Sequence, residues 1–404
     1  MGTVPQMSGT ARPGGGVGPE GEPPVPVVPR YGGACLSSVV PALLARVPGD
    51  GAAPSAPADE PPAWLPAPAH DARQIVLLVL DGLGWEYLQA SDTVPTLLGA
   101  AGGPITSVAP TTTATALTSL TTGTAPAAHG VVGYRVRVDA DGAGPGGEVM
   151  NVLRWSTARG DARRTVPPAR FQPVAPFGGR AVTAVTRAEF AATGFTAAHL
   201  TGAHLVGWSV PSSLVVGVRR LLEAGDTFVY VYYDGLDKVA HEHGLGEFYR
   251  QELVAVERLV SDLVASLPPG AVLVVTSDHG QVEVGGAVRL LDPALFDGIE
   301  LLSGEGRFRW LHVRPGALDE VVAGARRAHG DEAWVRTRQD MEADGWFGGP
   351  LSAAVAGRLG DVAVVAHAPV AFLDPADTGE TRLMARHGSL TSAEMLVPLL
   401  ALAG

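Results

Sequence analysis

Cysteine is nearly missing from this chain. Cys35 is the only one in 404 residues, which excludes an intrachain disulfide framework. Aromatic residues are scarce, at 6% against 46% hydrophobic, so Ala, Val and Leu must supply the core. Positive charge is also short: 29 Lys and Arg face 41 Asp and Glu, a formal net charge of −12. Neutralising a polymer's phosphates takes clustered Lys and Arg, so nucleic-acid polymers are not expected as partners. A small phosphorylated substrate is allowed, provided something local supplies positive charge. Long apolar runs are missing as well; IVLLVL (75–80) is far shorter than the roughly 20 residues of a membrane span. The opening MGTVPQMSGTARPGGG lacks the apolar segment of a secretory signal. A cytoplasmic protein without a membrane partner is the expectation, and the sequence sets no oligomeric state.

What is abundant is Gly, Pro and Arg over Lys, a bacterial, GC-rich coding style. Residues 1–30 are Gly/Pro-rich and expected to be disordered. YGGACLSSVVPALLARV (31–47) has helical apolar spacing, and GDGAAPSAPADEPPAWLPAPAH (49–70) reads as a Pro/Ala-rich linker. The catalytic domain is therefore expected over 71–404. There RQIVLLVLDG (73–82), DTFVYVYYDG (226–235) and GAVLVVTSDHG (270–280) are continuous apolar runs, the profile of parallel strands buried on both faces. FYRQELVAVERLVSDLVASL (248–267) between them repeats apolar residues at three- and four-residue steps, as an amphipathic helix does. This alternation predicts an α/β fold with a mostly parallel central sheet and helices on both faces. The less regular stretches at about 131–205 and 282–360 are expected as small insertions covering the site. VGYRVRVDADGAGPGGEVMNVLRW (132–155) reads as a hairpin and loop.

Ligands of such sheets bind at the carboxyl ends of the strands. Each of the three strands ends there in an acid: Asp81, Asp234 with Asp237 just beyond, and Asp278 with His279. Asp237 and His241 are four apart and share a helix face, which suits two ligands of one metal or an ordinary helix-surface hydrogen bond. His243 is a rival on a different face. Asp81 could equally cap a helix. Asp278 and His279 could decorate a turn, which Gly280 would permit. Together with His387 near the C-terminus, however, three carboxylates and three imidazoles make a donor set that suits Zn2+. They suffice for two ions with open positions, whose charge a phosphate needs. PTTTATALTSLTTG (110–123) opens a helix at a run of threonines, where free N–H groups favour an anion. Thr111 or Thr112 can cap that helix while another threonine faces the metals.

These segments resemble the alkaline phosphatase superfamily, most of all its bacterial type I phosphodiesterases and nucleotide pyrophosphatases. The resemblance rests on VLDGLGW, APTTTATALTSLTTGTAPAAHGVVGY, DKVAHEHG, TSDHG and RHGSLTSAEMLVPL, in the family's order from residue 73 to 404. It implies an alkaline-phosphatase-like fold. One metal would be held by Asp237, His241 and His387, and the other by Asp81, Asp278 and His279 together with the nucleophile. The family's nucleophile stands sixteen residues before the histidine of the H-G turn, which from His129 gives Thr113, with Thr112 the main rival. Family members continue F-P-N-H after the nucleophile; here Ala114, Thr115, Ala116 and Leu117 follow. The asparagine that contacts the phosphoryl oxygen is thus Ala116, and the backbone N–H of Ala114 is one replacement.

The resemblance implies two divalent ions, Zn2+ or else Mn2+, and hydrolysis of a phosphodiester or nucleotide pyrophosphate through a phosphothreonine intermediate. The substrate would be small and nucleotide-like. A phosphonate (C–P) hydrolase or phosphomonoesterase of the same superfamily is the alternative, and a non-catalytic metal-binding protein is a further one. Tyr134, Arg135, Asn151, Trp155, Trp208 and Arg386 could grip a leaving group, but such residues more commonly pack or face solvent.

Overall fold

The computed structural model describes residues 24–48, 60–139, 147–377, 379 and 382–404; the N-terminal stretch through residue 23 and linker residues 49–59 lie outside them. Seven strands form the central sheet: Gln74–Leu80 (β1), Ala101–Thr106 (β2), Thr183–Arg187 (β3), His204–Trp208 (β4), Phe228–Tyr233 (β5), Ala271–Thr276 (β6) and Leu396–Ala403 (β7). Their order is β2-β7-β6-β1-β5-β3-β4. From β6 to β4 all neighbours are parallel; β7 runs antiparallel to β6 and to β2. The expected α/β fold with a mostly parallel central sheet is what the structure has.

β1 shows why its sequence reads as one apolar run. Ile75, Leu77 and Val79 face one core, with Leu36, Val39 and Leu43 of helix Leu36–Leu44 (α1) and Ala116, Leu117 and Leu120 of helix Thr113–Thr122 (α2). Val76, Leu78 and Leu80 face the other, with Leu236 and Ala240 of helix Gly235–His243 (α3) and Leu253, Val256 and Val260 of helix Glu247–Ala265 (α4). Burying each such aliphatic side chain stabilises by about 1.5–3 kcal/mol, so a polar residue in β1 is costly on either face. The strand also has its register fixed at the end that matters. Val79 lies opposite Thr276 of β6, and Leu80 opposite Tyr233 of β5. Three chains therefore leave the sheet side by side, carrying Asp278, Asp81 and Asp237 into one crevice.

Other parts depart from expectation. Residues 24–30, read as part of a disordered terminus, are pinned: Val27 N–H donates to Leu390 O at 2.9 Å, and Trp334 Nε1–H donates to Pro24 O at 2.6 Å. Composition alone missed these long-range bonds. α1 packs into the same core as α2. Within 131–205, Arg135–Val138 and Glu148–Asn151 pair antiparallel, whereas β3 and β4 belong to the central sheet. β4 is the edge strand and half exposed, and β3 beside it is buried but short and carries Thr183 and Thr186, so neither has the apolar signature of β1. Residues 299–366 include a separate antiparallel sheet of four strands with its own core around Leu311, Val335, Val364 and Phe372.

Candidate active site and metal centre

α2 is polar by composition yet wholly buried. Its hydroxyls are satisfied locally: Thr118, Thr121 and Thr122 donate to carbonyls one turn back, at 2.7, 2.9 and 2.6 Å. The three threonines before and at its start divide the work. Thr112 caps the helix, its Oγ1 accepting from Thr115 N at 3.3 Å. Thr111 ties the helix start to the C-terminal loop, donating to Ser389 O at 2.7 Å and accepting from Gly388 N at 3.0 Å. Thr113 turns into the crevice, its Oγ1 3.1 Å from His279 Nε2. His129, buried and neutral, with burial lowering its pKa to about 3, accepts from Val131 N and meets Ser119 Oγ at 2.8 Å. That pairing holds the H-G turn.

Around Thr113 the structure assembles Asp81, Asp278 and His279, with ligand atoms all within 4.8 Å of one another. A second group on the same measure is Asp237, His279 and His387. His279 thus stands between the two groups, its ring stacked on His387 at 3.5 Å. His241 joins through Asp237 Oδ1, 3.3 Å from its Nε2. His243 instead stacks on Phe248 and faces Glu242.

The histidines are oriented alike. Nδ1 lies against a backbone carbonyl in each: Gly280 O for His279 at 3.1 Å, Ala385 O for His241 at 2.8 Å and Thr111 O for His387 at 2.8 Å. A carbonyl can only accept, so Nδ1 carries the proton and Nε2 presents a lone pair. Those lone pairs face carboxylates: His279 Nε2 is 3.4 Å from Asp81 Oδ1 and 3.3 Å from Asp278 Oδ2, both buried with no hydrogen-bond donor. Acceptors facing acceptors in a buried pocket are repulsive unless a cation stands among them. The donor set therefore fits a divalent metal.

Electrostatics agree. Burial, then the charges of Asp278 and Asp237, pushes Asp81 well above the ordinary carboxylate range. Burial pushes Asp278 up to about 6 and His279 down to about 4. His387 is driven down by burial and by its histidine neighbours. Without a cation the pocket favours neutral groups; a divalent ion reverses that preference.

Several supporting residues carry no local sequence signal. Tyr232 donates its hydroxyl to Asp81 Oδ2, and Gln281 Nε2–H donates to Asp237 Oδ1 at 2.9 Å. Arg307 and Glu394 form a fully buried bidentate pair at 2.8 Å, and Glu394 also accepts from Ser389 N and Thr391 Oγ1 in the loop after His387. Gly280 corrects the expected turn. Its φ is not left-handed; a Cβ there would lie 2.0 Å from Ala393 O and 2.8 Å from Gly84 Cα, so close packing demands glycine. Tyr134, Arg135 and Asn151 line a separate cleft of about 640 Å³ that includes none of the seven candidate ligands.

Residues 75–390 match the type I phosphodiesterase / nucleotide pyrophosphatase family. The chain belongs to this family. It is thereby a phosphoester hydrolase of the alkaline phosphatase superfamily, as the motifs implied. Murine ectonucleotide pyrophosphatase / phosphodiesterase 5 is similar in structure, with 18% identity and a TM-score of 0.62 over 82% of this chain and 88% of that one. An inactive threonine-to-alanine variant of that murine protein in complex with AMP aligns at 17% identity and a TM-score of 0.60, with the same coverage. Phosphonoacetate hydrolase from Sinorhizobium meliloti, in complex with phosphonoformate, has 20% identity and a TM-score of 0.57 over 81% and 89%. At these identities the neighbours speak for the fold the family shares. The comparison with curated proteins finds no match.

Proposed function

We propose that this family member hydrolyses phosphodiester or nucleotide pyrophosphate bonds of a small, nucleotide-like substrate through a phosphothreonine on Thr113. The observation carrying this reading is the pocket where Thr113 Oγ1, His279 Nε2 and the two donorless oxygens Asp81 Oδ1 and Asp278 Oδ2 converge. Asp81, Asp278 and His279 would hold one divalent ion and Asp237, His241 and His387 the other, Zn2+ before Mn2+ for this donor set. When bound, the ions supply Lewis acidity and the positive charge that the chain's surface lacks.

The protein's own residues do the rest. The start of α2 directs backbone N–H groups at phosphoryl oxygens, with Ala114 N–H replacing the asparagine contact that Ala116 cannot make. Thr113 Oγ loses its proton to solvent and forms the bond to phosphorus as the leaving oxygen departs. Water then cleaves that ester, releasing phosphate or its monoester and restoring the hydroxyl. Catalysis rests on position and charge, because the buried, low-pKa histidines are poor proton donors at neutral pH. The AMP complex of the murine neighbour's inactive threonine variant supports both the nucleotide-like substrate and the threonine.

A second reading, hydrolysis of a carbon–phosphorus bond, is favoured by the phosphonoacetate hydrolase neighbour and by Ala116 in the asparagine position. Metal-loaded protein assayed against a chromogenic phosphodiester, dinucleoside pyrophosphates and phosphonoacetate separates the two. Turnover of phosphonoacetate alone would replace the first reading by the second.

A further inference from the structure

Asp237 is the least conventionally held carboxylate of the site. His241 Nε2 lies 3.3 Å and His387 Nε2 3.8 Å from its Oδ1, yet neither can donate, since each ring has its proton on Nδ1 against a carbonyl. One donor remains among the described residues: Gln281 Nε2–H, at 2.9 Å. We infer that Gln281 is a positioning residue whose amide fixes the rotamer of Asp237 for the ion held with His241 and His387. The inference rests on the two-metal reading above.

Three observations carry it. Gln281 is 7% exposed, and its Oε1 is buried with no partner, so nothing anchors the amide from its other side. Its orientation is set by Asp237, and the carboxylate is in turn set by it. Second, space has been made for the amide. Gly82 adopts φ +80°, and a Cβ there would fall 2.5 Å from Gln281 Nε2 and 3.2 Å from Asp237 Cα. Third, the backbone places Gln281 in register with the histidines. Val282–Glu283 pairs antiparallel with Ala385–Arg386, with Val282 opposite Arg386, which sets Gln281 at one end of a short ribbon and His387 at the same end. The ribbon also grips His241, whose Nδ1 faces Ala385 O and whose carbonyl accepts from Met384 N at 2.8 Å.

A neutral donor is the right chemistry here. A lysine would bring a competing charge beside the cation, and a glutamate would add a fourth carboxylate. An amide orients Asp237 while leaving its charge for the metal.

The test is Zn2+ titration of chelator-stripped wild type, Gln281→Met and Gln281→Asn, read by calorimetry and by thermal unfolding of the stripped proteins. Methionine keeps the length without the amide; asparagine keeps the amide but stops short of Asp237. The wild type is expected to take two ions. Both variants should bind one ion about 10–100-fold more weakly and the other unchanged. Their stripped melting temperatures should match the wild type, because Gln281 acts through Asp237. Two ions with wild-type affinities in both variants would overturn the role of Gln281 and leave the two-metal reading standing. Equal weakening of both ions together with a lower stripped melting temperature would make Gln281 a packing residue. A wild type that binds fewer than two ions would sink both readings.

Discussion

At the scale of single residues, the threonine run is the sharpest discriminator. Thr111, Thr112 and Thr113 are chemically identical and adjacent, and sequence alone left their roles open between capping and catalysis. The structure separates them by hydrogen bonds: bridge, cap and crevice. Thr113→Ala should abolish turnover while bound metal, measured by atomic emission, stays at the wild-type level. Thr112→Ala should keep activity but lose about 1 kcal/mol of stability in urea unfolding, the usual worth of a cap. Activity retained in the first and lost in the second would move the nucleophile to Thr112. The titrating pair Asp81 and Asp278 yields a pH prediction. Asp278 rises from 3.8 to about 6 on folding, so between those values the native state binds more protons than the unfolded one. Asp278's contribution is therefore intact below about pH 4 and is lost as pH climbs through about 6. Buried histidines, His279 among them, titrate with the opposite sign in the same window, so the loss is read as a difference. The stripped Asp278→Asn variant should gain stability relative to the stripped wild type as pH climbs from about 4 to about 6, measured by urea unfolding at each pH. Added Zn2+ should stabilise the wild type far more at pH 7 than at pH 4.

At the scale of elements, legibility followed burial. β1, β5 and β6 were readable because strands covered on both faces need no polar residue until they end. Their terminal acids were readable for the same reason. β4, half exposed at the sheet's edge, and β3, buried beside it but short and threonine-bearing, carried no such contrast and read as insertion. The ligands belonged to motifs; what orients them did not. Tyr232, Gln281 and the Arg307–Glu394 pair act across 44 to 151 residues of chain, a relation no local pattern encodes. Arg307 belongs to the turn of the separate antiparallel sheet and also donates to Ala368 and Val370 carbonyls at 2.9 Å. It locks that sheet to the loop bearing His387. Arg307→Met leaves Glu394 buried and unpaired, so it should cost roughly 3–5 kcal/mol in chemical unfolding. A cost below 1 kcal/mol would show that the lock is dispensable.

At the scale of the molecule, a chain with net charge −12 has to bring a phosphorylated substrate to a buried pocket of carboxylates. Its family membership makes phosphoester hydrolysis the activity, and the pocket's lone pairs and donorless oxygens make cations the natural way to hold the substrate's charge. No helix among the described residues is long and apolar enough to cross a membrane. The two cores on either side of the sheet bury β1 on both faces, and the register of β1 with β5 and β6 sets where the segments carrying Asp81, Asp237 and Asp278 leave the sheet. The central claim is the covalent step on Thr113. Metal-loaded protein turning over a chromogenic phosphodiester should be quenched in acid, digested and mapped by mass spectrometry. The expected result is a phosphoryl adduct on Thr113 that is missing without substrate. Full turnover with no adduct on any threonine, and undiminished in Thr113→Ala, would contradict the account.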